Sequence, residues 1–342
     1  MSLKNLSVTN KIPKLLRSKL NNKRINQVYK KFEKSLDLNT NFLVAVSGGP
    51  DSLALSFLAK IYSIKHKITA KFFIVDHKLR KGSTREAKKV QQILKKNSIT
   101  AEILTWRGFK PHKGVQSAAR NKRYKLLFAK CKELKINNIL LGHHQDDVFE
   151  NFFIRILRGS GLKGLVSLDK KNRINDINLL RPLINQKKED LIFISKNIFN
   201  FFVKDPYNTD DKFLRIKIRK LIQELSNEGL DKKKFDKTIQ NLKYSNEVVT
   251  YYQNKNLQKN SFYSLKKNEL ILNNKFFDQP QEVVFRSFGE VVKIIGKKYH
   301  PSRGKKIDKI LLKIKKNEFF RVTLGGCVIE KVKQTVIISK EH

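Results

Sequence analysis

The chain has 342 residues, length enough for two domains with real cores, and sets 73 Lys and Arg against 30 Asp and Glu, a formal net charge of +43. That balance points to a polyanion, nucleic acid first, because clustered cations displace its counterions; the plainer reading is a lysine-biased surface, and lysine does far outnumber arginine. The two cysteines form no Cys-x-x-Cys or zinc-type cluster, the basic N-terminus lacks the apolar core of a secretory signal, and no apolar run nears the about 18 residues that span a bilayer, so a reduced, cytoplasmic chain without a membrane span is expected.

Residues 1–40 read as a basic N-terminal extension. From 41 to 215, short apolar runs alternate with helical patterns. "FLVAVS", "AKFFIVDH", "TAEILTW", "NNILLGH" and "INLLRPL" predict strands, and "SLALSFLAKIYS", "STREAKKVQQILKKN", "GVQSAARNKRYKLLFAKCKEL" and "QDDVFENFFIRILRG" predict helices between them. "STRE" supplies a capping box from Ser83 to Glu86. Such β/α alternation predicts an α/β fold with a doubly wound parallel sheet, whose ligands sit at the carboxyl ends of the strands. The polar strand ends are "SGGPDS", "DHKLR" and "GHHQDD". Residues 216–265 read as a basic helical linker, and 266–342 as a small α+β C-terminal domain in which "FFRVTLGGCVIEKV" turns as a hairpin at Gly325-Gly326.

Ser47-Gly48-Gly49-Pro50-Asp51-Ser52 stands between a predicted strand and a predicted helix. Two glycines let the backbone approach an anion, and the serines add hydroxyl donors. A carboxylate among phosphates needs a cation between them, so Asp51 implies Mg²⁺. No Walker-type Gly-x-x-x-x-Gly-Lys-Ser/Thr occurs. His143, Asp147 and Glu150 fall at i, i+4 and i+7, one face of a helix beginning at a strand end. Carboxylates gathered there in so basic a chain suggest a pocket for a cation; an acid-enriched helix start explains Asp146 and Asp147 as well, but Glu150 less. Arg120 and Arg123 lie one helical turn apart.

The Ser-Gly-Gly-x-Asp-Ser stretch resembles the PP-loop of the N-type ATP pyrophosphatases, which split ATP into AMP and pyrophosphate. "VDHKLRKGSTREA", "GVQSAARNKRY", "LLGHHQDDVFENFFIRILRGSGLKGL", "RPL" and "DPYN" run in the order found in tRNA(Ile)-lysidine synthases, over roughly residues 40–220, and "TLGGC" near the C-terminus is similar to some members. Val148 and Asn151 stand where that family favours Gln and Thr, and "RIKIRK" replaces an Arg-Asn-containing run. The resemblance implies ATP bound by Ser47, Gly48, Gly49, Pro50, Asp51, Ser52, Asp76 and His77, with Mg²⁺ on Asp51. It implies catalytic roles for Asp51, Arg120, Arg123, His143, Asp147 and Glu150, one of the arginines acting on the α-phosphate, and free L-lysine held by Asp147 and Glu150. The implied partner is tRNA(Ile) with a CAU anticodon, gripped partly by the C-terminal domain, with no obligate protein partner evident. Two alternatives are a PP-loop tRNA thiolase and a non-catalytic RNA-binding protein on the same fold.

Overall fold

Two helices, α1 (Lys14–Leu20) and α2 (Lys23–Ser35), precede the first strand. Asn22 caps α2 by accepting from the Arg24 and Ile25 amides, and Ile25, Val28, Tyr29 and Phe32 form its buried stripe. Then come β1 (Phe42–Val46), α3 (Pro50–Lys65), β2 (Ala70–Asp76), α4 (Ser83–Lys96), β3 (Ala101–Thr105), α5 (Val115–Glu133), β4 (Asn138–Leu140), α6 (Gln145–Leu157) and α7 (Leu162–Leu165). A hairpin of β5 (Lys171–Ile174) and β6 (Ile177–Leu180) leads to α8 (Lys188–Phe199) and α9 (Leu214–Asn227). This computed structural model describes residues 13–80, 82–109, 111, 114–203, 214–265, 269–298 and 304–341; the "DPYN" motif lies outside them.

The six strands line up as β3-β2-β1-β4-β6-β5, parallel except for β5 at the edge. From β1 the chain winds outward first through β2 and β3, then returns to the other side of β1 with β4. That reversal is a topological switch point, where the loops after two adjacent strands diverge and leave a crevice. Phe42, Val44 and Val46 of β1 face a core shared with α2, α3 and α8, while Leu43 faces Leu127 and Cys131 of α5. Helix α3 is buried nearly all round, from Ser52 to Ser63. Among the described residues, no helix is long and apolar enough to cross a membrane.

The chain divides into two units, 1–230 and 231–342. In the second, α10 (Lys232–Asn260), α11 (Gln281–Ile295) and α12 (Gly304–Lys315) accompany an antiparallel sheet ordered β7 (Ser261–Ser264), β8 (Glu269–Leu272), β11 (Thr335–Lys340), β10 (Cys327–Val332), β9 (Arg321–Leu324). The β9–β10 hairpin turns on Gly325 and Gly326, both with positive φ (67° and 81°), as the sequence predicts.

Three expectations need correction. The described part of the expected N-terminal extension is no appendage: Leu16, Ile25, Phe32 and Leu36 belong to the main core of the first unit. The 216–265 segment is no linker, because α9 lies in the first unit and α10 in the second. Nor does the capping box form. Gly82 is the N-cap residue of α4, the Ser83 hydroxyl donates to Asp76 (2.8 Å), and Glu86 pairs with Arg80 (2.7 Å).

Phe32 is fully buried and meets Tyr62 edge-on at 6.0 Å. Phe32→Ala is expected to destabilise the first unit by about 3–5 kcal/mol, read from the denaturation midpoint. A dispensable extension would show no shift.

Candidate active site

The turn after β1 is built on glycine for two reasons. Gly48 has φ +84°, and a Cβ there would lie 2.6 Å from Val90 Cγ2 and 3.0 Å from Val203 Cγ2. Its carbonyl accepts from the Val203 amide (2.9 Å). Ser52 closes the turn: its hydroxyl accepts from the Ser47 amide and hydroxyl (both 3.1 Å) and donates to the Gly49 carbonyl (3.0 Å). Pro50 opens α3, so the N–H groups of the first helical turn point toward the loop with no acceptor inside the helix. The result is an arrangement that could cradle an anion such as phosphate.

The loop after β4 presses on this cradle. A Cβ at Gly142 would stand 3.2 Å from the backbone of Asp51 and Ser52. His144 follows, 2 % exposed, with Nε2 at 3.7 Å from Asp51 Oδ2 and 3.6 Å from Asp147 Oδ2. Its backbone N–H donates to Asp147 Oδ2 at 3.0 Å, fixing the start of α6. Asp51, His144 and Asp147 therefore form one cluster. Burial pushes the Asp51 carboxyl above its ordinary range, with Asp147 adding to the rise while His144 and Lys188 oppose it. For Asp147 burial acts the same way, but His144, His143 and the backbone donor outweigh it, and the group stays below its usual value. Burial, reinforced by Arg181, Arg120 and Arg215, pulls His143 down to about 4 against the attraction of Asp147.

Asp51 Oδ1 is buried with no hydrogen-bond partner. A sealed carboxylate oxygen beside a phosphate cradle fits a hard divalent cation completed by substrate phosphates, as Mg²⁺ prefers. Among the described residues no three His, Cys, Asp or Glu side chains gather to hold a metal by themselves.

Asp76 and His77 lie at the end of β2. Asp76 accepts from the Lys78 amide (3.0 Å) and the Ser83 (2.8 Å) and Thr84 (2.6 Å) hydroxyls, so both its oxygens serve the start of α4. Burial would raise its pKa, yet these donors lower it on balance. His77 accepts from Arg123 Nε at 3.4 Å, meets Trp106 edge-on, and is drawn down to about 4 by burial and then by Arg123. Arg120 is exposed, its guanidinium 5.2 Å from the Tyr124 ring centroid. Val148 is buried, and Asn151 donates to Ser167 Oγ (3.3 Å).

Glu150 stands apart from the other two acids. Its carboxylate is 1 % exposed and already engaged, with Arg219 Nε at 2.5 Å and Arg215 Nε at 4.0 Å. Helix α9 packs on α6 and brings both arginines, at i and i+4, to the buried acid. Burial alone would lower the Arg219 pKa; Glu150 first, then Asp147 and Asp51, hold it above its usual value. Sequence reasoning missed Arg215, Arg219, Arg181 and Lys188. The spacing in "RIKIRK" was the available signal for the first two; nothing local tied them to a residue 69 positions away.

The PP-loop domain family matches residues 18–225, more than half of the chain. The tRNA(Ile)-lysidine synthase of Orientia tsutsugamushi is 32% identical over 320 residues, covering 89% of this chain and 70% of that protein. The chain belongs to the tRNA(Ile)-lysidine synthase family. Family membership makes it a ligase that uses ATP. The Rickettsia felis tRNA(Ile)-lysidine synthase is likewise 32% identical over 328 residues, 92% of this chain and 74% of its own. Among solved structures, the U34-tRNA thiolase NcsA of Methanococcus maripaludis, with its [4Fe-4S] cluster, superposes at a TM-score of 0.54 and 16% identity, over 64% of this chain and 79% of that one. That likeness concerns the fold alone.

Two outcomes are expected of these contacts. Glu150→Gln leaves Arg219 facing an amide and should cost about 3 kcal/mol in urea unfolding, with less than additive loss in the Glu150→Gln/Arg219→Gln double variant. Additive losses would mean that the pair is not coupled. His77 and His143 take up protons near 4 when folded and near 6.5 when unfolded, so the unfolded chain binds protons first. Stability should therefore fall as pH drops from 6.5 to about 4 and level off below, and His77→Asn should flatten part of that slope in melts taken across the range.

Proposed function

We propose that the protein joins free L-lysine to C2 of the wobble cytidine of tRNA(Ile) with a CAU anticodon, in the cytoplasm, converting ATP to AMP and pyrophosphate. The observation that carries the reading is the convergence of Asp51, His144 and Asp147 on the phosphate cradle, in a chain of this family. ATP lays its pyrophosphate portion on residues 47–52, where Asp51 would hold Mg²⁺ and the ion would offset the phosphate charge. The cytidine O2 attacks the α-phosphorus and pyrophosphate leaves. Adenylation matters because a pyrimidine carbonyl oxygen is a very poor leaving group. The lysine ε-amine then adds at C2 and AMP departs, leaving lysidine.

Charge of both signs serves these steps. Arg120, Arg123 and Arg215 supply the positive field for phosphate charge developing in transit. With Glu150 committed to Arg219, the negative charge that attracts an ammonium comes from Asp147 and Asp51. The amine must shed a proton before it attacks, and neutral His143 and ionised Asp147 are the acceptors at hand. A formal charge of +43 suits the tRNA polyanion.

Thiolation is the weaker reading. Cys131 and Cys327 are both buried, in different units, and burial pushes each thiol up to about 11. Such thiols are poor nucleophiles at neutral pH.

Incubation with tRNA(Ile), ATP, Mg²⁺ and labelled lysine, followed by nuclease digestion, should yield labelled lysidine. Asp51→Asn should abolish labelling, by at least about a hundredfold, while the melting transition is retained. Labelled lysine that never enters the RNA would contradict the proposal.

A further inference from the structure

Helix α10 turns Ile239, Gln253 and Asn256 inward, with the Asn256 amide donating to the Phe276 carbonyl (3.2 Å) and Ser287 Oγ (3.3 Å). Its opposite side is unusual. Tyr244, Val248, Tyr251 and Lys255 follow one another at i, i+4, i+7 and i+11, a single stripe on a helix. Tyr244 and Val248 are each 57% exposed, Tyr251 62%, and the adjoining Tyr252 47%. The Tyr251 and Tyr252 rings meet edge-on at 5.4 Å, and Lys255 Nζ stands 5.9 Å from each ring. Apolar area gathered so on one exposed face marks an interaction surface.

The same spacing would suit a coiled-coil seam between two copies of the chain. Charge argues against it. Helix α10 carries seven lysines against only Asp236 and Glu247, so two copies laid together would oppose strongly like charge. An anionic partner with flat faces satisfies both the rings and the lysines.

We propose that the outer face of α10 is a stacking platform for unpaired RNA bases, with Tyr244, Tyr251 and Tyr252 under the bases and Lys237, Lys255 and Lys259 along the phosphates. Base–aromatic stacking tolerates any base, and exposed lysines beside the rings track the backbone. The inference rests on the tRNA reading above for the nature of its partner, and it assigns that reading a contact made by the second unit.

The test uses the full chain and two RNA probes at one salt concentration: a single strand of about 12 nucleotides and a blunt duplex of equal length. Tyr251→Ala should weaken single-strand binding about tenfold and duplex binding less than about twofold, the loss of one base stack. Tyr251→Phe, which keeps the ring, should bind as the parent does. Lys255→Ala should lower the slope of log affinity against log salt by about 0.7 for the single strand. Unchanged single-strand affinity in the Tyr244→Ala/Tyr251→Ala variant, or equal losses on both probes, would overturn the proposal. So would conversion of a dimer to a monomer by that variant with RNA affinity intact, since the stripe would then join two copies. The assay needs neither ATP nor lysine. RNA binding lost with Tyr251→Ala in a protein that makes no lysidine would uphold the platform and remove only the proposed ligation.

Discussion

The backbone after β4 comes within a methyl group's reach of the backbone that starts α3, and the rest of the site depends on that approach. A Cβ at Gly142 would stand 3.2 Å from Asp51 and Ser52. The contact exists because β1 and β4 are neighbours in the sheet although the paired residues Leu43 and Ile139 are 96 positions apart in the chain. One strand end contributes the phosphate cradle and Asp51; the other contributes His143, His144 and, one helical turn later, Asp147. Residues distant in sequence thus come within ion-pair distance, His144 Nε2 standing 3.7 Å from Asp51 Oδ2. The switch point of a doubly wound sheet supplies the crevice, and glycine supplies the closeness.

Electrostatics then assigns roles within the crevice. In a chain of net charge +43, three buried or partly buried carboxylates lie within one short region, and each meets a different fate. Asp51 keeps one oxygen sealed and without a partner, the arrangement a cation bound with substrate would complete. Asp147 is held ionised by histidines and a backbone donor. Glu150 is paired with Arg219 of α9. Asp147 and Glu150 on α6 and Asp51 at the start of α3 therefore differ in the charge they keep, because burial and partners, not spacing, decide which charge remains available.

Much of this was legible in the chain. The β/α alternation fixed the sheet, because strands buried on both faces read as apolar runs and the helices between them carry a different period. Ser-Gly-Gly-Pro-Asp-Ser located the turn between β1 and α3, where Gly48 takes a positive φ. The N-terminal helices escaped because lysines cover their outer faces, although Ile25, Val28, Tyr29 and Phe32 keep helical spacing beneath them. The capping box failed because Asp76, seven residues before Ser83 in sequence, competes for that hydroxyl from the end of β2. Arg219 escaped because its partner is set by tertiary packing of α9 on α6, which no local pattern records. Local periodicity reports elements well; it cannot report which distant charge a buried acid will meet.

The central claim is that residues 47–52 hold the pyrophosphate portion of ATP, so the bond that breaks lies between the α and β phosphates. The most direct measurement follows ATP labelled at the α-phosphate, with Mg²⁺, lysine and tRNA(Ile), and separates the nucleotide products. Label appearing in AMP, with an equal amount of pyrophosphate and dependence on tRNA, is the predicted result. Label appearing in ADP, with release of orthophosphate, would contradict the account.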